Sequence, residues 1–277
     1  MTAADHSSFT GLAIIVVSGV LNASFPLPMK LARAWKWENT WLAFCTLSLL
    51  ILPLAVAAAV LPDLPAVYRS APPREFLPAV AGGLLWGTAQ VTFGIAIASV
   101  GMAMAFAIVV GMSSVLGSLL PLLVQRPEDL LARTGLLLMA SAAILSAGLV
   151  IYARAARQRE QDAGVPQARG DFRKGMSLCL FTGAAAGAIN LGFAFSAELV
   201  QRAAVLGASP EEASFAVWAV LLPAGYIPNL VYCAWLLRAN RTARVFRLSA
   251  PREGLLAFTM AVLWLSGWLG YGVGASS

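Results

Sequence analysis

Seven stretches of this chain contain no charged residue: 7–29, 39–62, 76–125, 134–153, 175–197, 213–237 and 254–277. An α-helix rises about 1.5 Å per residue, so about 20 uncharged residues cross the roughly 30 Å hydrocarbon core of a bilayer. Each stretch is long enough. The stretch 76–125 is about twice as long as one crossing needs, and Ser99, Val100 and Gly101 near its middle have the character of a tight turn. The sequence therefore predicts eight spans.

Hydrophobic residues make up 59% of the chain and charged ones 12%, the reverse of what keeps a soluble domain's surface wet. Backbone amides cannot stay unpaired in hydrocarbon, so the spans are expected as helices; the alternation of a membrane barrel is absent. The expected fold class is an all-α polytopic membrane protein. A cleaved signal peptide is not expected, because Asp5 and His6 but no Lys or Arg precede the first span and its apolar run is too long. Cys45, Cys179 and Cys233 stand singly inside spans, without the spacing of a zinc site or a disulfide framework. Phosphate-cradling glycine loops and metal-ligand spacings are lacking, so neither cofactor nor metal is expected.

The net charge of +6 matters less than where it lies. Loops after the first, third, fifth and seventh spans hold 3, 0, 6 and 5 basic residues, and those after the second, fourth and sixth hold 2, 2 and 1. Lys and Arg gather on the cytoplasmic side. The N-terminus is thus expected outside, in the periplasm, with residues 154–174 and 238–252 inside. Their arginines are expected to set orientation and to meet anionic lipid of the bilayer; nucleic acid is not an expected partner.

The polar segment 154–174 separates five spans from three, which divides the chain into a first repeat (1–154), a linker loop (155–174) and a second repeat (175–277). Gly19, Asn22 and Phe25 match Gly187, Asn190 and Phe193 at the same spacing. Leu85-Trp86 followed by Phe93-Gly94 likewise matches Leu263-Trp264 followed by Tyr271-Gly272, and Leu-Pro pairs at Pro53 and Pro223 fall between them. Three pairs in the same order argue for duplication. A five-span unit crosses the membrane an odd number of times, so its second copy runs inverted, as in transporters that bind substrate between two halves. On that logic the second repeat is incomplete, and two further spans are expected after the third.

Four stretches carry a resemblance to a known family: Trp35-Lys36-Trp37-Glu38-Asn39-Thr40-Trp41; Leu85-Trp86-Gly87 with Gly94 and Gly101-Met102-Ala103-Met104; Phe172-Arg173-Lys174-Gly175; and Leu206-Gly207-Ala208-Ser209-Pro210. They resemble the bacterial L-rhamnose/proton symporter family of the ten-helix drug/metabolite transporter superfamily. The resemblance implies proton-coupled uptake of a deoxyhexose across the bacterial inner membrane, with a sugar and a proton as partners. Gln90 departs from the family, which tends to have asparagine there.

A sugar offers hydroxyls and an apolar ring face, so its site needs amides and an aromatic wall with few charges. Trp86 and Trp264 each lie ten residues into their spans, roughly 15 Å deep and near the midplane. Gln90 follows Trp86 by one turn, Trp268 follows Trp264 by one turn, and Tyr271 comes three residues later, so each set shares a helix face. Asn22 and Asn190 occupy equivalent positions well inside their helices, where an amide needs a partner. These seven residues are the candidate sugar site; the alternative for each is helix packing. Gly183 with Gly187, and Gly111 with Gly117, are expected to let helices approach closely.

No Asp, Glu or Lys lies deep within a span, although intramembrane carboxylates are the usual proton carriers. Glu38 and Glu198, near helix ends, are the candidates for proton coupling, against the alternative of solvated boundary charges. A membrane enzyme is not expected, because the spans lack clustered His and Asp. An exporter on the same fold and a non-transporting remnant remain open. The sequence carries no signal of oligomeric state.

Overall fold

The computed structural model describes residues 3–125, 127–162 and 172–276. Among them, eight helices are long and apolar enough to cross a membrane, and no strand occurs.

Several spans are broken, each for a local reason. Helix α1 (Ala3–Ser24) stops before Pro26 and Pro28, which lack the N–H that would extend it; a 3-10 turn, Pro28–Leu31, follows. The second span consists of α2 (Trp37–Cys45) and α3 (Leu52–Val60), with a π-helical turn, Thr46–Ile51, between them. Pro53 explains the turn: it cannot donate to the regular ladder and its ring crowds the carbonyl four residues earlier, which a wider turn relieves. Helix α4 (Leu64–Ser70) is capped by Asp63, whose side chain accepts from the Ala66 amide at 2.9 Å. From α4, Tyr68 donates to the Ala216 carbonyl at 2.9 Å; burial pushes its phenol up to about 12, so it stays a neutral donor.

Helices α5 (Leu77–Val100) and α6 (Met102–Gln125) meet at Gly101, whose φ of 85° favours glycine. The turn falls at the predicted break. Helix α7 (Arg133–Asp162) outruns the uncharged stretch 134–153 and extends into the segment expected as linker. Its last turns are rich in Ala, Arg, Gln and Glu, which favour helix whatever their polarity. The sixth span is α8 (Phe172–Ala194), continued after a break at Ser196 by α9 (Ala197–Val205). Ser209 and Glu212 form a capping box that starts α10 (Pro210–Ala213). The last two spans are α11 (Phe215–Ala239), with Pro223 and Pro228 inside it, and α12 (Ala250–Ser276).

Helix α5 packs on α8 and α11, α1 on α12, α6 on α8, and the second span on α11 and α12. Glycines bring these backbones together. Gly82 lies against Gly192, and a Cβ at Gly83 or Gly87 would overlap a backbone carbonyl of α11. Gly183 faces Met112 and Gly187 faces Gly117, so the small-residue pair on α8 seats α6 as expected. The hydroxyls of Thr92 and Thr182, 2.7 Å apart, join α5 to α8.

Candidate substrate site

A chain of aromatic rings crosses the middle of the bundle. Trp86 on α5 lies 6.3 Å from Trp264 on α12, centroid to centroid, and Trp264 lies 5.5 Å from Trp268 one turn later. Trp268 meets Trp218 of α11 edge-on at 4.9 Å, and Trp218 stacks on Phe193 of α8 at 4.8 Å. The rings thus join helices from both sides of the 155–174 segment.

Against this wall lies a cavity of about 530 Å³, bordered by Pro53, Ser214, Trp218, Leu222, Trp264 and Trp268. That size falls in the range of small-molecule sites, roughly 300–1,000 Å³. Pro210 and Glu211, at the start of α10, stand at its rim. The walls are largely apolar, with Ser214 and Glu211 as sparse polar groups, which suits a ligand with one stackable face and a few hydroxyls.

Beyond the wall, toward the other end of α11, sits a polar hub absent from the sequence-based candidates. Asn229 is fully buried. Its Oδ1 accepts from Trp41 Nε1 at 3.0 Å, and its Nδ2 donates to Gln90 Oε1 at 3.1 Å and to the Gly225 carbonyl at 3.0 Å. One turn earlier, Tyr226 Oη and Thr46 Oγ1 lie 3.0 Å apart. The second, third and seventh spans are therefore tied together by one amide. The signal for it was an asparagine deep in the uncharged stretch 213–237 that the repeat does not duplicate.

Trp86, Trp264 and Trp268 pack near one another, with Trp86 also packed on Gly225, and of the three Trp264 and Trp268 line the cavity. Gln90 is held by Asn229 rather than standing beside Trp86 alone. Asn22 packs against Gly267 of α12, and Asn190 lies exposed with its amide against Gly117 of α6. Neither lines the cavity, and nor do Trp86 and Gln90. Asn22 thus meets the eighth span and Asn190 the fourth, so the shared spacing of the two amides does not give them corresponding neighbours. The side chain of Tyr271 lies outside the described residues.

Glu38 is not a solvated boundary charge. It is buried, accepting from Asn240 Nδ2 at 3.0 Å and from Thr242 Oγ1 at 2.7 Å, because the loop between the last two spans folds over it. Glu198 is exposed. Glu75, which the sequence did not single out, is clasped by Arg202 through two bonds of 2.6 Å, a bidentate pair between the third and sixth spans.

A family model described as L-rhamnose-proton symport protein matches residues 6–266. The L-rhamnose-proton symporter of Klebsiella pneumoniae (strain 342) is 27% identical over 255 residues, covering 91% of this chain and 73% of its relative. That of Enterobacter sp. (strain 638) is 26% identical over 260 residues, 93% of this chain and 74% of the relative. That of Shigella flexneri is 27% identical over 237 residues, 85% and 67% of the two chains. No solved structure matches the chain.

Proposed function

The chain belongs to the L-rhamnose-proton symport protein family, and we propose that it takes up L-rhamnose together with protons across the bacterial inner membrane. The observation that carries this reading is the cavity walled by Trp218, Trp264 and Trp268 in a chain that matches the family over residues 6–266. A deoxyhexose can lay its apolar face on such rings and turn its hydroxyls to a few fixed polar groups. Trp264 and Trp268 form the stacking wall and Trp86 supports it from α5; Gln90, held by Asn229 beyond the wall, offers its amide to a sugar that passes Trp86 as the bundle opens inward. Tyr271 joins this set by its spacing on α12. Asn22 and Asn190 set the approach of α1 to α12 and of α8 to α6.

Transport proceeds by alternating access between 1–154 and 175–277. The pairing of α1 with α12 and of α5 with α8 supports this, because an inverted repeat relates first-to-eighth contacts to third-to-sixth contacts. The cavity rim at Pro210 and Glu211 lies at the start of α11, the end away from the Arg-rich loop 238–252. By the positive-inside rule that rim faces the periplasm, as uptake requires. A reporter fused after Gln161 is expected in the cytoplasm, with the N-terminus outside; a periplasmic reporter would reverse the assignment.

L-rhamnose added to de-energised cells expressing the protein should alkalinise the medium. An unchanged pH, with efflux of another solute, would favour an exporter instead. Trp264→Ala and Trp268→Ala should each raise the half-saturation concentration for L-rhamnose counterflow by about tenfold or more, since losing one aromatic contact removes roughly 1.5–3 kcal/mol of apolar burial. Wild-type affinity in both variants would remove the wall from the site.

A further inference from the structure

The polar edge of the cavity is built on α10. Its capping box turns the Glu212 carboxylate back onto the Ser209 amide, 2.9 Å away, and Arg202 on the neighbouring α9 is clasped by Glu75. Both charges are engaged by protein. Glu211 is different: it borders the cavity, is exposed, and its side chain makes no hydrogen bond or ion pair among the described residues. Among those residues no lysine or arginine borders the cavity beside it. One turn later, Ser214 Oγ donates to the Glu211 carbonyl at 2.8 Å. The hydroxyl proton is thereby committed, so this oxygen meets a ligand only as an acceptor. Pro53 and Pro210, also on the border, have no N–H to offer. The edge therefore presents acceptors.

Trp264 supplies the opposite chemistry. Its ring lines the cavity and is 6% exposed, and its indole N–H has no hydrogen-bond partner among the described residues. The Trp35 and Trp41 indoles, by contrast, each find an acceptor, in the Leu248 carbonyl and in Asn229. Nor is the Trp264 N–H sealed off: among the described residues, the buried side-chain atoms without a partner are Asn39 Oδ1 and Glu253 Oε2. It opens on space, and the space that its ring borders is the cavity. A donor so enclosed is stabilised when a ligand brings it an acceptor.

We propose that Glu211 is the specificity-determining residue of the site: its carboxylate accepts from two neighbouring hydroxyls of the sugar, with Ser214 Oγ as a further acceptor beside it, while the Trp264 N–H donates to a sugar oxygen from the wall. The inference rests on the transport reading above and adds what the rings cannot do. Stacking depends on an apolar face and is nearly indifferent to which hydroxyls a sugar carries, whereas a site built to hydrogen-bond a hydroxyl rejects the analogue that lacks it. A hydroxyl both donates and accepts, so a neutral polyol satisfies the edge and the wall together. A carboxylate in place of one of those hydroxyls brings acceptors alone and is repelled by Glu211.

Deoxy analogues of L-rhamnose, lacking the 2-, 3- or 4-hydroxyl in turn, test this by their binding to the purified full chain, read as quenching of tryptophan fluorescence. In the wild type, removing either of two adjacent hydroxyls should weaken binding about fivefold or more, as losing a hydrogen bond to a charged group does. In Glu211→Ala, L-rhamnose itself should bind about fivefold or more weakly, and the same two analogues should bind within about twofold of it, because the partner of the missing hydroxyl is already gone. Glu211→Gln keeps the size of the side chain and removes its charge, and it should shrink the same two penalties, so the result does not depend on how one variant folds. Trp264→Phe, which keeps a ring without the N–H, should weaken L-rhamnose about threefold; unchanged affinity there would strike the wall donor from the site. Penalties equal in the wild type and in both Glu211 variants overturn the proposal, since Glu211 would then be a solvated rim charge. A wild-type protein that does not bind L-rhamnose would instead sink the transport reading.

Discussion

Alanine at Gly87 should prevent α5 from seating on α11, so that the solubilised protein elutes as aggregate or unfolds far below the wild-type temperature; alanine at Gly94, two turns along the same helix, should not. A Cβ at Gly87 would overlap the Gly225 carbonyl, with its carbon 2.8 Å away. Backbone cannot rotate aside as a side chain can. Nor can α11 shift freely, because Gly225 is also pressed against the Trp86 ring. Overpacking a tight contact costs about 1–3 kcal/mol and occasionally more, a large part of the roughly 5–15 kcal/mol that holds a domain together. Gly94 has no atom within 4 Å of where its Cβ would stand, and there alanine gains about 1 kcal/mol of helix propensity. Fluorescence-detected size exclusion after a temperature ramp separates the two. An unchanged midpoint for Gly87→Ala would mean that the two backbones are not in contact.

The spans were legible because lipid imposes a length and forbids charge, and both constraints act on consecutive residues. The turn at Gly101 was legible for the same reason. What stayed hidden depends on neighbours distant in sequence. The π-turn before Pro53 was readable only as a kink, since the way a freed carbonyl is accommodated is decided by packing. Helix α7 ran past its apolar stretch because helix propensity continues through Arg154 and Gln161 after hydropathy has ended. In the site, Trp86, Trp264 and Trp268 could be picked out because rings near the middle of a span lie too deep to belong to the headgroup layer, and the structure has them near one another. The amides could not. Asn22 and Asn190 share a G-x-x-N-x-x-F spacing and find different neighbours, whereas Asn229, outside that pattern, ties three spans together. Charge near a span end was the hardest to read: Glu38 stood open between proton coupling and a solvated boundary charge, and Glu253 was not singled out, yet loops more than 200 residues apart fold over both.

Asn229→Leu should leave the protein folded but cut L-rhamnose counterflow by about tenfold or more. Leucine nearly fills the space and accepts no hydrogen bond, so Trp41 Nε1 loses its acceptor and Gln90 Oε1 its donor. A buried polar group left unpaired costs about 1–3 kcal/mol, although interhelical bonds in membranes average nearer 0.6 kcal/mol because displaced groups find substitutes. The stability loss should therefore be modest, well short of that for Gly87→Ala. Transport should suffer more, because a Gln90 amide released from Asn229 no longer points one way. The double variant Asn229→Leu with Gln90→Leu separates the two roles. If Asn229 acts by orienting Gln90, the pair should transport no worse than the poorer single variant, a coupling of the size that touching residues in one network show. If the two losses add to within about 0.5 kcal/mol, Asn229 serves only to hold α2, α5 and α11 together, and Gln90 owes its position to the helix alone.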